Sequence, residues 1–334
     1  MKKILSVCVP TYNMELYLAR CLDSFIIDKE YMDKLEIIVC NDGSKDNSSK
    51  IAHEYADKYP NTYIVIDKPN GNYGSCVNAA LEIATGRYFR ICDSDDKYVK
   101  ENLSEYLDYL QFSQADIIFS PYRILKIDST VFTEITPAFS YIHKELLIDS
   151  IDWGSKELIK YRAMHSMCIK TSRLVHNNYK QIEGISYTDQ QFVFYCFLYS
   201  ETCSFVDFYI YDYYLGRDGQ TMSPEAMRNS YMHFYKNAEN LLRCYVELPI
   251  TTSEEKRKVL FRSIMAVIRP YVTTILCQLK NINNEIVLLN SLIEWSNKSH
   301  LPCPINEELL KMRNYYLWKR FSIPRILFYL ISHK

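Results

Sequence analysis

Short runs of β-branched residues alternate with helix-like segments along the first 120 residues of the chain. The strand-like runs are KILSVCVP, LEIIVCND, TYIVIDK, RYFRICD and ADIIFSPYRI, and segments such as DNSSKIAHEYADKY and YGSCVNAALEIATG lie between them. Buried strands that are separated by helical crossovers are typical of a mostly parallel sheet flanked by helices. The pattern therefore predicts an α/β fold, in which ligands bind where loops leave the carboxyl ends of the strands.

The rest of the chain divides into two further regions. Residues 121–220 mix an aromatic strand-like run, FVDFYIYDYYLG, with an apolar helix-like run, DQQFVFYCFLYS, which predicts a second lobe that completes a cleft. After Pro224 the sequence is mostly helical in pattern. We therefore predict one domain over residues 1–220, with halves at about 1–120 and 121–220, and a C-terminal helical region over 221–334.

Charge and cysteine content limit the partners and the compartment. The formal net charge of −1 gives no reason to propose nucleic acid as a partner, because binding a phosphate backbone generally needs a clustered basic surface. The 11 cysteines are scattered without a C-x-x-C pair, and many lie inside apolar runs, which indicates buried thiols in a reducing compartment. No window approaches the roughly 20 apolar residues that span a bilayer. We therefore expect a cytoplasmic protein.

Three aspartates and a serine follow the strand-like run RYFRIC directly, as Asp93, Ser94, Asp95 and Asp96. Carboxylates two residues apart can project to the same side of a strand end, and their oxygens suit Mg²⁺ or Mn²⁺. Such an ion would offset the repulsion within the cluster and could bridge a diphosphate. The alternative is a solvated turn whose aspartates cap the following helix.

Polar loops also follow the first three strand-like runs. Asp42 comes after the second run, where it can accept a hydrogen bond from a pyrimidine N–H or a ribose, although Asn-Asp-Gly-Ser is also a good turn. Gly71 and Gly74 permit close approach of the backbone to a ligand, but GNYG matches neither G-x-G-x-x-G nor a P-loop. Four loops therefore meet at one predicted edge of the sheet.

Taken together, SVCVPTYN, EIIVCNDGSKDNS and NGNYGSCVNAALEIATGRYFRICDSDD resemble, in this order and spacing, the family 2 glycosyltransferases, whose nucleotide-sugar domain has the GT-A fold. The resemblance covers roughly residues 1–125. It implies a nucleotide half at 1–120, an acceptor half at 121–220, a donor that is most often a UDP-sugar, and a D-x-D motif in which Asp95 coordinates Mn²⁺ or Mg²⁺. The nucleotide-sugar contacts that it implies are Pro10, Tyr12, Asn13, Asp42, Asp93, Ser94 and Asn78, the last of these near the diphosphate-sugar.

An inverting transfer needs a carboxylate that deprotonates the acceptor hydroxyl. The best candidate is Asp189 in ISYTDQQFVF, where members of the family carry their base, although Thr188-Asp189 replaces the usual Glu-Asp pair and either residue could instead cap the helix. Arg217 in YYLGRDGQTMS resembles the residue that closes over the diphosphate. The Q-x-x-R-W signature of processive synthases is absent, so we expect one sugar per encounter.

Two aromatic residues and the C-terminal tail suggest further contacts. Trp153 and His165 can stack on or hydrogen-bond to an acceptor sugar, but such residues are more often packing residues. The tail, residues 312–334, mixes basic and aromatic residues, which suits the interface of an anionic membrane. Packing on its own protein or on a twin subunit of a homo-oligomer is the alternative. The expected location is therefore cytoplasmic, with attachment to the inner face of the membrane left open.

The leading interpretation is an inverting hexosyltransferase that moves one sugar to a glycan, glycoprotein or lipid-linked acceptor in the synthesis of a bacterial surface glycan. One alternative is a nucleotidyltransferase that makes nucleotide-sugars, but VPTYNMELYL lacks the glycine-rich basic loop that such enzymes typically need. Another is a catalytically inactive nucleotide-sugar binding or scaffold protein. The presence of Asp95 and Asp189 argues against this last alternative.

Overall fold

The computed structural model describes residues 2–217, 220 and 223–278. The chain divides into two compact units, one with the bounds Met1–Asp218 and Ser253–Ser263 and the other with the bounds Gly219–Thr252 and Ile264–Lys334. The C-terminal tail, residues 312–334, for which membrane attachment and packing on protein were both considered, lies outside the described residues.

Two sheets lie in the first unit. The larger has eight strands in the order β3-β2-β1-β4-β10-β6-β11-β9, and the smaller has four in the order β5-β12-β7-β8. The strands are β1 Leu5–Thr11, β2 Leu35–Asn41, β3 Tyr63–Asp67, β4 Tyr88–Ile91, β5 Lys97–Tyr98, β6 Ile117–Phe119, β7 Tyr122–Lys126, β8 Val131–Glu134, β9 Leu146–Leu147, β10 Met167–Lys170, β11 Thr202–Phe205 and β12 Tyr211–Leu215.

Helices connect or follow these strands. Those of the first 200 residues are α1 Leu18–Asp23, α2 Lys29–Met32, α3 Ser48–Lys58, α4 Asn72–Ile83, α5 Leu103–Phe112, α6 Thr171–His176 and α7 Asp189–Tyr199. Later in the chain follow α8 Pro224–Asn229, α9 Tyr231–Val246 and α10 Glu254–Gln278.

The first four strands run parallel, as the alternating sequence pattern predicts. β1 pairs in parallel with β2 on one side and with β4 on the other, and β2 pairs in parallel with β3. All seven residues of β1 and all seven of β2 are buried, because a strand inside a covered sheet faces the core on both sides. The loops after these strands therefore leave the same edge of the sheet.

One strand interrupts the parallel order. β10 is antiparallel to both β4 and β6, and it lies between them although it comes later in the chain. β6 and β11 are again parallel. This insertion brings the chain just before β10, which contains His165, next to the loop that follows β4.

α7 is apolar on every side and is correspondingly buried. The buried residues include Phe192, Val193, Phe194 and Phe197, and a helix without a polar face is stable only inside a core. Its first residue is Asp189, so the packing of this helix fixes where that carboxylate lies.

The described thiols are also largely in the core, as the sequence predicts. The buried cysteines are Cys8, Cys21, Cys40, Cys76, Cys92, Cys168, Cys196 and Cys203.

Helices α8 and α9 of the second unit are explained by a helix cap and by an amphipathic sequence, respectively. At the start of α8 the Ser223 side chain accepts a hydrogen bond from the amide of Ala226, and Pro224 occupies the first turn. α9 buries one face, at positions that include Phe234, Ala238 and Leu241. Among the described residues no helix is long and apolar enough to cross a membrane.

Candidate active site

The loop after β2 places a buried carboxylate among donors from the next loop. Asp42 is 3% exposed, and its Oδ1 accepts hydrogen bonds from the ammonium of Lys68 and from the amide of Gly71 at 2.9 Å. The Asn70 side chain donates to the Asp42 carbonyl at 3.0 Å. A carboxylate held in this way has a fixed orientation and can select for an N–H donor on a ligand.

The loop after β1 is adjacent to the loop that carries Asp42, because β1 and β2 are neighbouring parallel strands. Pro10 is buried within β1 and pairs with Cys40 of β2, whereas Tyr12 is 46% exposed. Asn13 has a positive φ of 53°, and its side chain accepts a hydrogen bond from the Lys45 amide at 2.8 Å. Pro10, near the end of β1, and Tyr12 and Asn13, directly after it, thus lie near the loop after β2, and the Tyr12 ring is exposed.

The aspartate cluster after β4 has a different partner for each carboxylate. The Tyr73 hydroxyl donates to Asp93 at 2.8 Å, and Arg217 forms an ion pair with Asp95 in which both side chains are mostly buried. Asp96 is fully buried and accepts from the Tyr211 hydroxyl and from a backbone amide of β12, each at 2.7 Å. The predicted Ser94 is 2% exposed.

The electrostatics of Asp93 reflect its burial and its neighbours. Burial raises the pKa of Asp93 to about 7, and the negative charges of Asp95 and Asp189 act in the same direction. The hydrogen bond from Tyr73 and the charge of Arg217 lower this pKa in part. Burial and the charges of Asp95 and Asp93 likewise hold the pKa of Asp96 well above its usual range. The cluster is therefore short of positive charge.

His165 lies against this cluster. One ligand atom each from Asp93, Asp96 and His165 lie within 4.8 Å of one another. The imidazole stacks on the Tyr213 ring at 4.2 Å, and burial together with the charge of Arg90 lowers the pKa of His165 to about 3. The ring is therefore neutral and retains a nitrogen lone pair.

These residues fit a divalent cation. Nδ1 of His165 is buried and has no hydrogen-bond partner among the described residues. Carboxylate oxygens with one imidazole nitrogen suit Mn²⁺. Asp95, the predicted ligand, is not part of the group of three, because its carboxylate faces Arg217.

Asp189, the predicted base, is the first residue of α7. Its Oδ2 accepts a hydrogen bond from the Gln190 side chain at 3.2 Å, and burial raises the pKa of Asp189 above its usual value. The charge of Asp189 also contributes to the raised pKa values of Tyr73 and Asp93. A carboxylate from the second half of the domain thus lies within electrostatic range of the cluster after β4.

Two predicted contacts occupy positions different from those expected. The Asn78 side chain bonds to the chain at Gln181, where it accepts from the amide at 2.8 Å and donates to the carbonyl at 2.9 Å. Trp153 is 1% exposed, its indole N–H donates to the Ile148 carbonyl, and its ring packs against Phe119 at 5.1 Å. An indole enclosed in this way is a core residue, so the structure argues against the acceptor contact expected of Trp153.

With this geometry established, comparison with known proteins identifies the family. The sequence profile of Glycosyl transferase family 2 matches residues 6–167, which include the loops after β1, β2, β3 and β4. Over residues 6–167 the chain is thus similar to glycosyl transferase family 2. The resemblance inferred from the sequence motifs is thereby confirmed.

Relatives in this family cover parts of the chain. An uncharacterized glycosyltransferase of Mycoplasma pneumoniae is 39% identical over 100 residues, which are 29% of this chain and 33% of that protein. The poly(ribitol-phosphate) beta-glucosyltransferase of Bacillus spizizenii is 26% identical over 259 residues, which are 76% of this chain and 38% of that protein. The chain therefore spans only about a third of the length of these relatives.

A solved structure shares the fold over most of the chain. The structure of S. aureus TarS residues 1–349 in complex with UDP-GlcNAc superposes with a TM-score of 0.64 at 18% sequence identity, over 95% of this chain and 87% of that one. The α/β fold with a central sheet flanked by helices, predicted from the sequence as GT-A, is therefore confirmed.

The structure also adds site residues that the sequence analysis did not select. Lys68 pairs with Asp42, Tyr73 donates to Asp93, and the Arg20 guanidinium donates to the Asp95 carbonyl at 2.5 Å while lying 3.8 Å from the centre of the Tyr214 ring. Lys68 and Tyr73 flank residues 69–72, which follow β3, so their position next to a strand end was a usable signal. Arg20 lies inside α1, and the sequence carries no sign that it would reach the cluster.

Proposed function

We propose that this chain is an inverting, non-processive glycosyltransferase that moves one sugar from a UDP-sugar to a hydroxyl of a bacterial cell-wall polymer of the teichoic acid type. The observation that carries the proposal is the proximity of Asp189 to Asp93, which is close enough for the charge of one to raise the pKa of the other. A base and a donor-binding carboxylate from different halves of the domain are what a single-step transfer requires.

The carboxylate of Asp42 and the loop after β3 support a uridine donor. Lys68 and Gly71 hold Asp42 in one orientation, in which the carboxylate can accept the N–H of a uracil ring. The TarS structures in complex with UDP-GlcNAc and with UDP support the same nucleotide, although at 18% identity the likeness extends only to the fold. We therefore assign the nucleoside to Pro10, Tyr12, Asn13 and Asp42.

The acceptor class rests on the relatives. A poly(ribitol-phosphate) beta-glucosyltransferase and the Bacillus subtilis minor teichoic acid biosynthesis protein GgaB both match this chain, the second at 37% identity over 119 residues. Each match covers less than two fifths of the relative. A polyol-phosphate polymer is therefore the acceptor that we would test first.

The proposed reaction uses Asp189 as the base. Its carboxylate takes the proton of the acceptor hydroxyl, the hydroxyl oxygen forms a bond to the anomeric carbon, and the bond from that carbon to the diphosphate breaks on the opposite face. The anomeric configuration inverts, and the proton leaves Asp189 for solvent. Asp93 and Ser94 contact the ribose or sugar. The Arg217 guanidinium, which forms an ion pair with Asp95 in the structure, would move to bind the diphosphate when the donor is bound.

Asp93, which belongs to the group of ligand atoms near His165, would hold Mn²⁺ or Mg²⁺ together with Asp95 once Arg217 moves from Asp95 to the diphosphate. The two oxygens of Asp96 already accept hydrogen bonds from β12, which leaves them less available than those of Asp95. A bound ion would supply positive charge to the leaving diphosphate. His165 then neighbours the ion site, and its role as an acceptor contact stays a prediction.

The test is a transfer assay with UDP-GlcNAc and UDP-glucose as donors and poly(ribitol phosphate) as acceptor, with Mn²⁺ present. We expect release of UDP that depends on the acceptor, and a product whose anomeric proton coupling reports inversion by NMR. Asp189→Asn should bind UDP as the wild type does and lose transfer by at least a hundredfold. Retention of near-normal transfer by Asp189→Asn would remove Asp189 as the base, and absence of transfer with every UDP-sugar would reject the proposal.

A further inference from the structure

The chain that precedes Asp189 is bonded to helix α4, which follows the donor loop. The amide of Gly184 donates to the carbonyl of Gly71 at 2.8 Å. The Asn78 side chain forms two hydrogen bonds to the backbone of Gln181 and a third to the Glu183 carboxylate at 2.8 Å. Both N–H donors of this amide, and one of the two lone pairs of its oxygen, are therefore used within the protein.

Gln181 extends this connection to the start of α7. Its side chain is 2% exposed, and its Nε2 donates to the carbonyl of Thr188 at 3.0 Å and to the Thr188 hydroxyl at 2.7 Å. The Tyr179 hydroxyl donates to its Oε1 at 2.9 Å. Because Thr188 directly precedes Asp189, the amide of Gln181 fixes the backbone that carries the proposed base.

The two segments also approach too closely for any side chain at one position. A Cβ on Gly74 would lie 2.0 Å from the carbonyl oxygen of Ile182. The Ile182 amide in turn donates to the Gln191 side chain on α7 at 2.9 Å. Gly74 is therefore needed for α4 and the segment before α7 to make contact.

The same turn of α4 contacts the donor side of the site. The amide of Gly71, whose carbonyl holds Gly184, donates to Asp42. Tyr73, in the first turn of α4, donates to Asp93. One helix end thus contacts a nucleoside-binding carboxylate, a carboxylate of the D-x-D motif and the segment that carries the base.

We propose that Asn78 and Gln181 are positioning residues, which hold the Asp189 carboxylate at a fixed place relative to the bound donor. The inference rests on the proposed function and replaces the expected contact of Asn78 with the diphosphate-sugar. We call the set Gly71, Asn78, Gln181, Gly184 and Thr188 the α4–α7 link. Loss of the side-chain bonds of Asn78 or Gln181 leaves the bond from Gly71 to Asp42 in place and moves only the base.

The test compares Gln181→Met, which keeps the side-chain length but removes the amide, with the wild type. We expect kcat for transfer to fall about 10- to 100-fold, because a displacement of about 1 Å at a reacting group has an effect of this size. The donor KM and the Kd for UDP should change less than twofold. The acid limb of the kcat–pH profile should also move, since burial sets the pKa of Asp189.

A second variant and a control separate positioning from general loss of stability. Asn78→Asp keeps the acceptor for the Gln181 amide but faces the Gln181 carbonyl and Glu183 with a carboxylate, so it should lower kcat in the same way. Tyr88→Phe removes a buried hydroxyl that donates to the Ala115 carbonyl at 2.8 Å, at the opposite end of β4. This control should lower the thermal midpoint without changing kcat or the pH profile.

The outcomes distinguish the two proposals. A wild-type chain that transfers no sugar overturns the proposed function, and the positioning role falls with it. An active wild type whose Gln181→Met and Asn78→Asp variants keep kcat and the acid limb overturns the positioning role alone. The positioning role is also overturned if Tyr88→Phe, at an equal loss of thermal midpoint, lowers kcat as much as Gln181→Met and Asn78→Asp do.

Discussion

Asp93 is predicted to destabilise the nucleotide-free protein at neutral and alkaline pH. Burial raises the pKa of this carboxyl to about 7, and Asp95 and Asp189 add to the effect. In the unfolded chain the pKa of an aspartate is about 3.9. Between these two values the folded protein binds a proton that the unfolded chain has already released.

This difference in pKa makes the contribution of Asp93 to the free energy of unfolding depend on pH. Because the folded pKa is raised, the stabilisation is fully present below about pH 4 and is lost as the pH rises through about 7. A difference of about 3 units corresponds to about 4 kcal/mol at 1.36 kcal/mol per unit, as an upper limit. Asp93 is only partly buried by surface area, and it shares its charge interactions with Asp95, so we expect about 1–3 kcal/mol.

The perturbation is Asp93→Asn. Asparagine keeps an oxygen that accepts from Tyr73 and cannot ionise, so the variant should be about 1–3 kcal/mol more stable than the wild type at pH 8. The gain should shrink towards zero near pH 4.5. The assay is urea unfolding at both pH values, in EDTA and without nucleotide. The same variant should lose donor turnover, because it lacks a charged carboxylate in the D-x-D motif.

A matched control has the opposite sign. The hydrogen bond from Tyr31, with Lys34 nearby, lowers the pKa of the exposed carboxyl of Asp108, so Asp108→Asn should not stabilise the protein at pH 8. The reasoning about Asp93 is refuted if Asp93→Asn is no more stable than the wild type at pH 8. It is equally refuted if the gain is the same at pH 4.5 and pH 8, because a gain that does not depend on pH cannot come from titration.

Three further results are expected. Gly74→Ala should unfold at a lower urea concentration than Gly184→Ala, because its Cβ would lie 2.0 Å from a carbonyl oxygen, whereas Gly184 has open space and only the cost of its positive φ, about 1–2 kcal/mol. Trp153→Ala should lower stability by about 3–5 kcal/mol and leave the donor KM unchanged, and a selective rise in the acceptor KM would restore Trp153 as an acceptor contact. Arg217→Met should raise the donor KM. It should also tighten Mn²⁺ binding in electron paramagnetic resonance titrations without nucleotide, because the guanidinium no longer competes for Asp95. An unchanged Mn²⁺ affinity would place the ion elsewhere.

The first half of the fold could be predicted because its signals are local. β1 to β4 are buried strands with helices between them, and the periodicity of each is visible in a short window. The position of β10 between β4 and β6 could not be predicted, because it depends on pairing between residues about 80 apart, such as Ile169 with Phe89. No local pattern encodes that partner choice.

At the site, too, the sequence predicted where the loops lie but not which side chains pair with each other. The edge rule for parallel strands correctly indicated that Asp42 and Asp93 would lie on loops at one edge of the sheet. It gave no partner for either, because Lys68 and Tyr73 are brought to them by side-chain conformation. Asn78 was assigned to the diphosphate from its motif, yet its partner is Gln181, more than 100 residues later.

The aspartate cluster explains why one site can be both stable and reactive. Asp95 has the charge of Arg217 as compensation, whereas burial and the neighbouring carboxylates raise the pKa values of both Asp93 and Asp96. Two hydrogen bonds from β12 lower the pKa of Asp96 in part. Asp93 has one hydroxyl donor and two negative neighbours, and it is the carboxylate of this pair with fewer hydrogen bonds from the protein. A ligand that brings positive charge binds more tightly where the negative charge of the protein is not neutralised. Its binding offsets the free energy by which ionised Asp93 destabilises the folded protein. A carboxylate that destabilises the folded protein when no cation is bound is therefore one on which cation binding should depend, and Asp93 is such a carboxylate.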